Sequence, residues 1–411
     1  MAEAADIVIV GAGIIGLCSA LQLAKRTSAR IVVLEKGVGL GEGSTGASSA
    51  VCRTKYSLDR TVLLARDGIA AYRHWREFVG LNDPLAGFHE TGALWLGTGD
   101  AAEVLNEAAR LRSLGIAIAT IDDDQLADRY PSINPCPIAP DLVTGEQHNC
   151  IAGGLHLLET EGGYVDPMDA LQDLLRAVRE RGVDVRFGAE VTGIGTRSGS
   201  IAGVSSSRGD IATPVLVNAA GPWCNRLNSL AGIDCPWPLR PTRIQIVHIE
   251  RPDTVVGPLP ACADPFGGIY FRPQNRGQQI VVGSVLEEDE REAVDPDDFD
   301  KGIDDDFAAV KIHALQHRLR GLETIRGVTG YSGLYTINDT DVHPAVGATQ
   351  LGGYFVANGF SGHGFKLAPA IGSLVARSIT GLRIAGDTEV GSDFLAFDRA
   401  PIAIVTRSVL A

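Results

Sequence analysis

The stretch from Asp6 to Glu35 constrains the fold more than any other. Asp6-Ile7-Val8-Ile9-Val10 is a short apolar run rich in β-branched residues, which reads as a buried strand. It leads directly into Gly11-Ala12-Gly13-Ile14-Ile15-Gly16 and then into the helical pattern Leu17-Cys18-Ser19-Ala20-Leu21-Gln22-Leu23-Ala24. A second apolar strand, Ile31-Val32-Val33-Leu34, closes on Glu35. In such a unit Gly11 permits the tight turn out of the strand. Gly13 lets a diphosphate approach the backbone without meeting a Cβ, and Gly16 lets the helix pack close to the sheet. The helix N-terminus then offers N–H groups and a positive dipole end to phosphates. Glu35, at the tip of the second strand, is placed to accept hydrogen bonds from a ribose diol. A lone glycine motif carries little weight, but strand, helix, second strand and terminal acid together predict a dinucleotide site.

A chain of 411 residues is long enough for about two or three domains. Hydrophobic content of 45% with 49 glycines fits a soluble α/β protein with many turns. The formal charge of -14 argues against nucleic acid or an anionic membrane surface as partner. It leaves an anionic substrate open, because a local cluster of Arg and Lys overrides the global sign. No apolar run is long enough to span a bilayer and no targeting segment precedes the first strand, so a cytoplasmic location is expected. Seven cysteines lie scattered without CxxC or zinc-like spacing, so reduced buried thiols and no metal are expected.

After Glu35 and Lys36 comes a loop of glycines and small hydroxyl residues that includes Ser44, Thr45, Ser48 and Ser49. It leads into Val51-Cys52-Arg53 and a long helix predicted over 59–78. A NAD-only dehydrogenase would place its next βα unit here. This order fits a flavoprotein, in which the loop runs under the diphosphate and the isoalloxazine. Residues 81–150 read as the first half of an inserted substrate domain, with a strand over 92–96, a helix over 101–114 and a proline-rich stretch over 131–140. Gly163-Tyr164-Val165-Asp166-Pro167 is a helix start, with Asp166 at the N-cap and Pro167 in the first turn. That helix runs to about 181, and strands follow over 183–187 and from 190 through Val191. The strand from Val215 ends in Asn218-Ala219-Ala220-Gly221-Pro222-Trp223, small residues suited to close approach of a cofactor. The substrate domain resumes over 224–330, with strands at 243–249, 269–272 and 279–285, an acidic helical segment over 297–319, and an acid run over 287–292 read as a solvated loop. A strand over 353–358, a loop over 359–366 and a closing helix over 369–380 complete the chain. The cofactor domain is thus expected in three pieces, 1–80, 151–223 and 331–411, with 81–150 and 224–330 forming the substrate domain.

These pieces resemble the FAD-dependent D-amino acid oxidase/sarcosine oxidase family over nearly the full length. The resemblance rests on the N-terminal fingerprint with Glu35, the Gly-Tyr-Val-Asp-Pro helix start, Asn218 through Trp223, and the C-terminal stretch. The last of these, Gly333-Leu334-Tyr335-Thr336 through Asn358-Gly359-Phe360-Ser361-Gly362-His363-Gly364-Phe365-Lys366, is the most specific. It looks close to the sarcosine oxidase branch, whose members oxidise secondary and tertiary amino acids such as N-methylglycine, dimethylglycine and iminodiacetate. The resemblance implies an α/β fold with a Rossmann-like, discontinuous FAD-binding domain and a second α+β substrate domain built on a mixed β-sheet. It implies cofactor contacts at Gly11, Gly13, Ile14, Ile15, Gly16, Glu35, Lys36, Ser44, Thr45, Ser48, Ser49, Val191, Ala219, Gly221, Trp223, Gly362, His363, Gly364, Phe365 and Lys366. Arg53 and Lys366 match the positions that grip the substrate carboxylate in that branch. A bidentate guanidinium there would fix orientation as well as charge, so that the α C–H points at the flavin. Two other readings stay open: Arg53 paired with a carboxylate on the following helix, and Lys366 paired with the flavin. His363 either touches the flavin ring or satisfies backbone groups.

The departures from the family pattern carry information too. Covalent flavin in this branch uses a cysteine just before the Leu-Tyr-Thr triplet or a histidine in the early glycine loop. Here Gly333 stands at the first place and the loop over 41–50 holds neither His nor Cys, so the FAD is expected to be non-covalent. The lysine that helps dioxygen react would fall near Val281, and none is there; Ser284 and Val285 stand where a basic residue is expected after Gly283. Dioxygen is slightly favoured over an electron carrier as acceptor, with Lys366 as the remaining cation. The resulting expectation is oxidation of the C–N bond of a small, anionic N-substituted amino acid, with the imine hydrolysing to an amine and a 2-oxo acid. A 2-hydroxy acid dehydrogenase using His363 or His343 as base is one rival, and a flavin-binding electron-transfer subunit without turnover is another.

Overall fold

The computed structural model describes residues 3–97 and 100–404, so the extreme ends of the expected cofactor domain lie outside it. The strand Ile7–Val10 is buried at all four positions because it is central. It pairs in parallel with Ile31–Leu34 on one side and Leu216–Asn218 on the other. A parallel strand covered on both faces has no wet side, which is why its sequence is a continuous apolar run and not an alternation. The full six-stranded sheet runs Ala345–Ala348, Tyr354–Asn358, Leu216–Asn218, Ile7–Val10, Ile31–Leu34, Asp184–Arg186, with only the first of these antiparallel to its neighbour. It draws on three separate stretches of chain. The helix Ile14–Ala24 packs on Gly364–Thr380. A Cβ on Gly372 would lie 2.8 Å from the backbone of Cys18, so the two helices meet at bare backbone. The helix Pro167–Glu180 starts as its sequence predicts, with Asp166 accepting from the amides of Met168 and Asp169 at 2.9 and 3.1 Å.

The second sheet has eight strands in the order Thr329–Asn338, Leu239–Glu250, Gln279–Ser284, Ile269–Gln274, Ala261–Asp264, Ala93–Trp95, Leu155–Glu159, Ile118–Asp122. It is mixed, since Ala93–Trp95 runs parallel to Ala261–Asp264 while the other pairs are antiparallel. Two of its strands, Leu155–Glu159 and Thr329–Asn338, come from stretches that the boundaries at 151 and 331 place with the cofactor domain. A smaller four-stranded sheet joins Glu3–Ala4 to the ribbon over 191–212. Among the described residues no helix is long and apolar enough to cross a membrane.

Several elements depart from the sequence expectation for identifiable reasons. The helix expected over 59–78 breaks at His74 into Asp59–Arg73 and Trp75–Val79, and the break aims the buried indole N–H of Trp75 at Asp173 (3.0 Å). The acidic helix begins at Asp305, not at 297, because Asp297 and Asp304 are held outside it by Arg226 and Arg243. The acid run over 287–292 is not uniformly solvated: it forms a turn, Glu287–Glu290, whose last residue is buried. The closing helix starts at Gly364, and Pro369 sits inside it. Cys150 is exposed and Cys235 half-buried, so the cysteines are not uniformly interior.

Candidate active site

The glycine turn is built as a cradle. Gly11 has φ +106°, and a Cβ there would lie 2.4 Å from the Ala219 carbonyl oxygen, so the end of the neighbouring strand fixes this glycine as much as the turn does. A Cβ on Gly16 would lie 1.9 Å from the Gly11 carbonyl oxygen. Gly13 differs, since among the described residues beyond its chain neighbours the one atom within 4 Å of its Cβ position is Thr45 Oγ1 at 3.3 Å. Gly13, at the N-cap of the helix Ile14–Ala24, offers no capping side chain, and the Ile14 amide donates instead to Thr45 Oγ1 of the glycine-rich loop at 3.1 Å. Glu35 accepts from the amides of Ala12 and Gly37, both at 2.8 Å, which braces the turn and leaves lone pairs for a ribose. Ser44 is half-buried in the same loop. Ser48 Oγ accepts from the Ala50 amide at 3.0 Å. Gly221 opens the turn Gly221–Trp223 at φ +52°. Val191 packs with Val10 and Leu34 in an apolar cluster. Lys36 and Trp223 are drawn together: the Lys36 ammonium sits 4.2 Å from the Trp223 ring centroid, and both side chains bond Asp297. A cradle that a Cβ at Gly13 would fill, a helix start with glycine at its N-cap and an acid on the second strand all fit a dinucleotide.

Beside the end of the glycine-rich loop, at Ser48 and Ser49, lies a cavity of about 640 Å³, including its opening to solvent. Ser48 and Ser49 contribute from the glycine-rich loop, Trp95, Tyr270 and Tyr335 from the eight-stranded sheet, and Gly362 and Phe365 from the C-terminal loop and helix. Arg53 and Lys366 both line it. The Arg53 guanidinium lies over the ring of Tyr56, 4.3 Å from its centroid, and 5.2 Å from that of Trp95, and it donates to the Lys55 carbonyl. The Lys366 ammonium is buried; burial first, and then the nearby Arg53 charge, push it down to about 7. Two buried cations on one wall make the local positive spot that the overall charge hides.

His363 Nδ1 lies 3.2 Å from the Tyr56 hydroxyl. Its ring meets Tyr56 edge-on, with centroids 5.2 Å apart. Burial, followed by the charges of Lys366 and Arg53, holds it well below its ordinary range, so it is neutral. It therefore supports the ring on which Arg53 rests. His343 has both ring nitrogens engaged, Nδ1 with the Asp341 carbonyl at 2.7 Å and Nε2 with Thr61 Oγ1 at 3.0 Å. A carbonyl only accepts, so Nδ1 carries the proton and Nε2 accepts from Thr61. Phe365 turns into the core, where it continues a stacked series with Tyr72, Trp75 and Phe78.

Three further residues of the site are not among those the sequence pattern points to. Glu159, buried at the end of its strand, accepts from the Thr54 amide and hydroxyl, the Lys55 amide and the Trp95 indole, and so holds both chain and ring beside Arg53. Lys55 lies over the Trp95 ring at 4.3 Å, and burial lowers its ammonium. Arg272 is the cross-strand neighbour of Val281 and is buried, donating to the Ser49 carbonyl at 2.6 Å. A charged residue inside an otherwise apolar strand was the available signal for Arg272.

Residues 6–378 match the family of FAD dependent oxidoreductases, and the chain belongs to that family. It is an FAD-dependent oxidoreductase, and FAD is its cofactor. It is 30% identical over 413 residues to mouse FAD-dependent oxidoreductase domain-containing protein 1, covering 91% of this chain and 81% of that one. It is 26% identical over 386 residues to human peroxisomal sarcosine oxidase, covering 90% of each. Among solved structures it resembles L-proline dehydrogenase from P. horikoshii, with a TM-score of 0.81 and 24% identity over 97% of this chain and 98% of that one.

Proposed function

We propose that this protein oxidises the C–N bond of a small secondary or tertiary amino acid, of the N-methylglycine, dimethylglycine or iminodiacetate kind. The observation that carries this reading is the meeting of Arg53 and Lys366 in one cavity beside the flavin loop. Bound FAD supplies the hydride acceptor. Arg53 grips the substrate carboxylate with two parallel N–H groups and so fixes where the α-carbon points. Lys366 adds a second positive charge at the same end. Trp95, Tyr270 and Tyr335 exclude water around the amine. The 2-hydroxy acid reading needs a base for the hydroxyl proton, and both ring nitrogens of His343 are engaged while His363 is bound to Tyr56.

The FAD is held without a covalent bond in this reading. A side chain at Gly333 would put its Cβ 2.5 Å from that of Ala47, and the loop over 41–50 has no His or Cys. Acid precipitation therefore releases yellow flavin into the supernatant. The decisive experiment on substrate is anaerobic mixing of the holoenzyme with N-methylglycine, dimethylglycine, iminodiacetate and glycolate. Bleaching of the flavin by an amine and not by glycolate is expected. Bleaching by glycolate alone replaces the reading with hydroxy acid oxidation, and no bleaching by any of the four removes it. The electron acceptor is then read by admitting dioxygen and comparing reoxidation with that by an artificial electron carrier.

A further inference from the structure

We propose that Cys136, His148, Cys150 and His317 bind one zinc ion, which ties the loop over 131–154 to the helix Asp305–Arg318. The four ligand atoms all lie within 4.8 Å of one another. Cys136 Sγ is 3.4 Å from His148 Nε2, Cys150 Sγ is 3.8 Å from His317 Nε2, and the two Nε2 atoms are 3.2 Å apart. Zinc bonds sulfur at about 2.3 Å and imidazole nitrogen at about 2.0–2.1 Å, so a tetrahedral site has N···N edges of about 3.3 Å and S···N edges of about 3.6 Å. The three edges between these pairs lie within about 0.2 Å of those values, and the set as a whole, spread over no more than 4.8 Å, would close slightly around the ion. Two thiols and two imidazoles form the donor set that selects zinc in a closed four-coordinate site, with no position left for substrate.

The arrangement is hard to explain by hydrogen bonds among the four groups alone. Two Nε2 atoms that face each other share at most one proton, whereas a cation accepts both lone pairs. Nδ1 of His317 is buried without a partner among the described residues, so this ring makes its polar contacts through Nε2, into the cluster. The surroundings also act as an outer layer of support. Asn134 Nδ2 donates to Cys150 Sγ at 3.2 Å and to the His317 carbonyl at 2.9 Å, and its Oδ1 accepts from the Cys136 amide at 3.2 Å. One side chain thus orients three of the four ligand residues. Next in the chain, Arg318 forms a fully buried bidentate pair with Asp264 and donates to the Cys136 carbonyl. Asp264 ends the strand whose Ala261, Cys262 and Ala263 line the active-site cavity. Cys150 is exposed, which gives the ion a way in. The sequence spacing hides the set, because the fourth ligand comes from a helix far along the chain. The expectation that no metal is bound is replaced by this proposal.

The test uses FAD-loaded, tag-free protein purified without chelators. Elemental analysis should find about one zinc per chain, and thiol titration of the folded protein should find Cys136 and Cys150 protected until a chelator is added. The Cys136→Ser/Cys150→Ser variant should lose at least tenfold in zinc content while keeping its FAD ratio, and should unfold at lower temperature. Because that variant could fail to fold, wild-type protein stripped and reloaded with cobalt(II) gives a second readout: tetrahedral visible bands with a thiolate-to-cobalt charge-transfer band. Absence of both zinc and the cobalt spectrum under reducing conditions overturns the proposal. So does zinc retained by the double serine variant, or iron or copper in its place.

Discussion

The hydroxyl of Tyr72 donates to the carbonyl of Phe365 at 2.8 Å, and this bond fixes the start of the helix that carries Lys366. An unbroken helix would bond that carbonyl to the amide of residue 369, but Pro369 has none. The proline leaves an acceptor, and the neighbouring helix Asp59–Arg73 supplies the donor. The two rings also stack, with centroids 5.1 Å apart. Nearby, a Cβ on Gly68 would lie 2.1 Å from the Lys366 carbonyl oxygen, so the helices are in backbone contact where the active-site lysine begins. Tyr72→Phe keeps the ring and strands the carbonyl, which costs about 1–3 kcal/mol. Urea unfolding should show that loss with FAD content unchanged; unaltered stability would mean that the carbonyl has another partner.

Glu159 is the support beneath the clamp. Its carboxylate faces only donors, from Thr54, Lys55 and Trp95. In Glu159→Gln the amide NH2 is set against one of these N–H groups, and the segment beside Arg53 loosens. KM for the carboxylated amine should rise about tenfold, equivalent to about 1.4 kcal/mol, with a smaller change on an amine lacking the carboxylate. Equal loss on both substrates would assign Glu159 to general folding.

Arg53→Met and Lys366→Met test the clamp itself. A charged hydrogen bond to a carboxylate is worth about 1.5–3 kcal/mol, so each variant should bind carboxylated amines about ten- to a hundredfold more weakly. Steady-state kinetics on paired substrates with and without the carboxylate checks this. If both substrates lose equally while FAD stays bound, these cations serve the flavin and not the substrate.

The lowered ammonium of Lys366 gives the clamp a pH signature. In the free enzyme it loses its proton near pH 7, against an ordinary 10.5. A carboxylate binds the protonated form, so affinity for a simple carboxylate inhibitor should fall by up to tenfold per unit as pH rises above about 7, and this slope should vanish in Lys366→Met. Stability runs the other way. Between about 7 and 10.5 the unfolded chain holds the proton that the folded one has released, so stability attributable to this group rises with pH through that window. The penalty is complete below pH 7. Lys366→Met should therefore melt higher than wild type at pH 6 and approach it at pH 10.

What the sequence made legible follows contact range. The strand, glycine turn, helix and Glu35 are specified by neighbours in the chain, and all stand where the pattern puts them. Arg53 and Lys366 were recognisable by resemblance and do share one cavity. The sequence pattern starts the closing helix at 369, and only the partner Tyr72 reveals why Pro369 is tolerated inside it. Glu159, Arg272 and the Cys136–His317 cluster depend on pairings across the eight-stranded sheet or between loop and helix, which no local period encodes.

The glycines of the first turn offer the sharpest separation of binding from folding. Three of them carry different loads. Gly11 and Gly16 are hemmed in by backbone, with Cβ positions 2.4 and 1.9 Å from carbonyl oxygens, so larger residues there must displace the sheet or the helix. At Gly13, among the described residues beyond its chain neighbours, Thr45 Oγ1, a side-chain terminus, is the one atom within 4 Å of the Cβ position. Its backbone also avoids the left-handed region, with φ at -74°. A side chain at Gly13 thus occupies the space meant for the diphosphate without straining the chain. Gly13→Val should express as a folded, soluble protein with native circular dichroism and no flavin absorbance. Gly16→Val should fail to fold. A Gly13→Val protein that carries stoichiometric FAD would move the diphosphate away from this turn, and a well-folded Gly16→Val would show that the helix does not need the close approach drawn here.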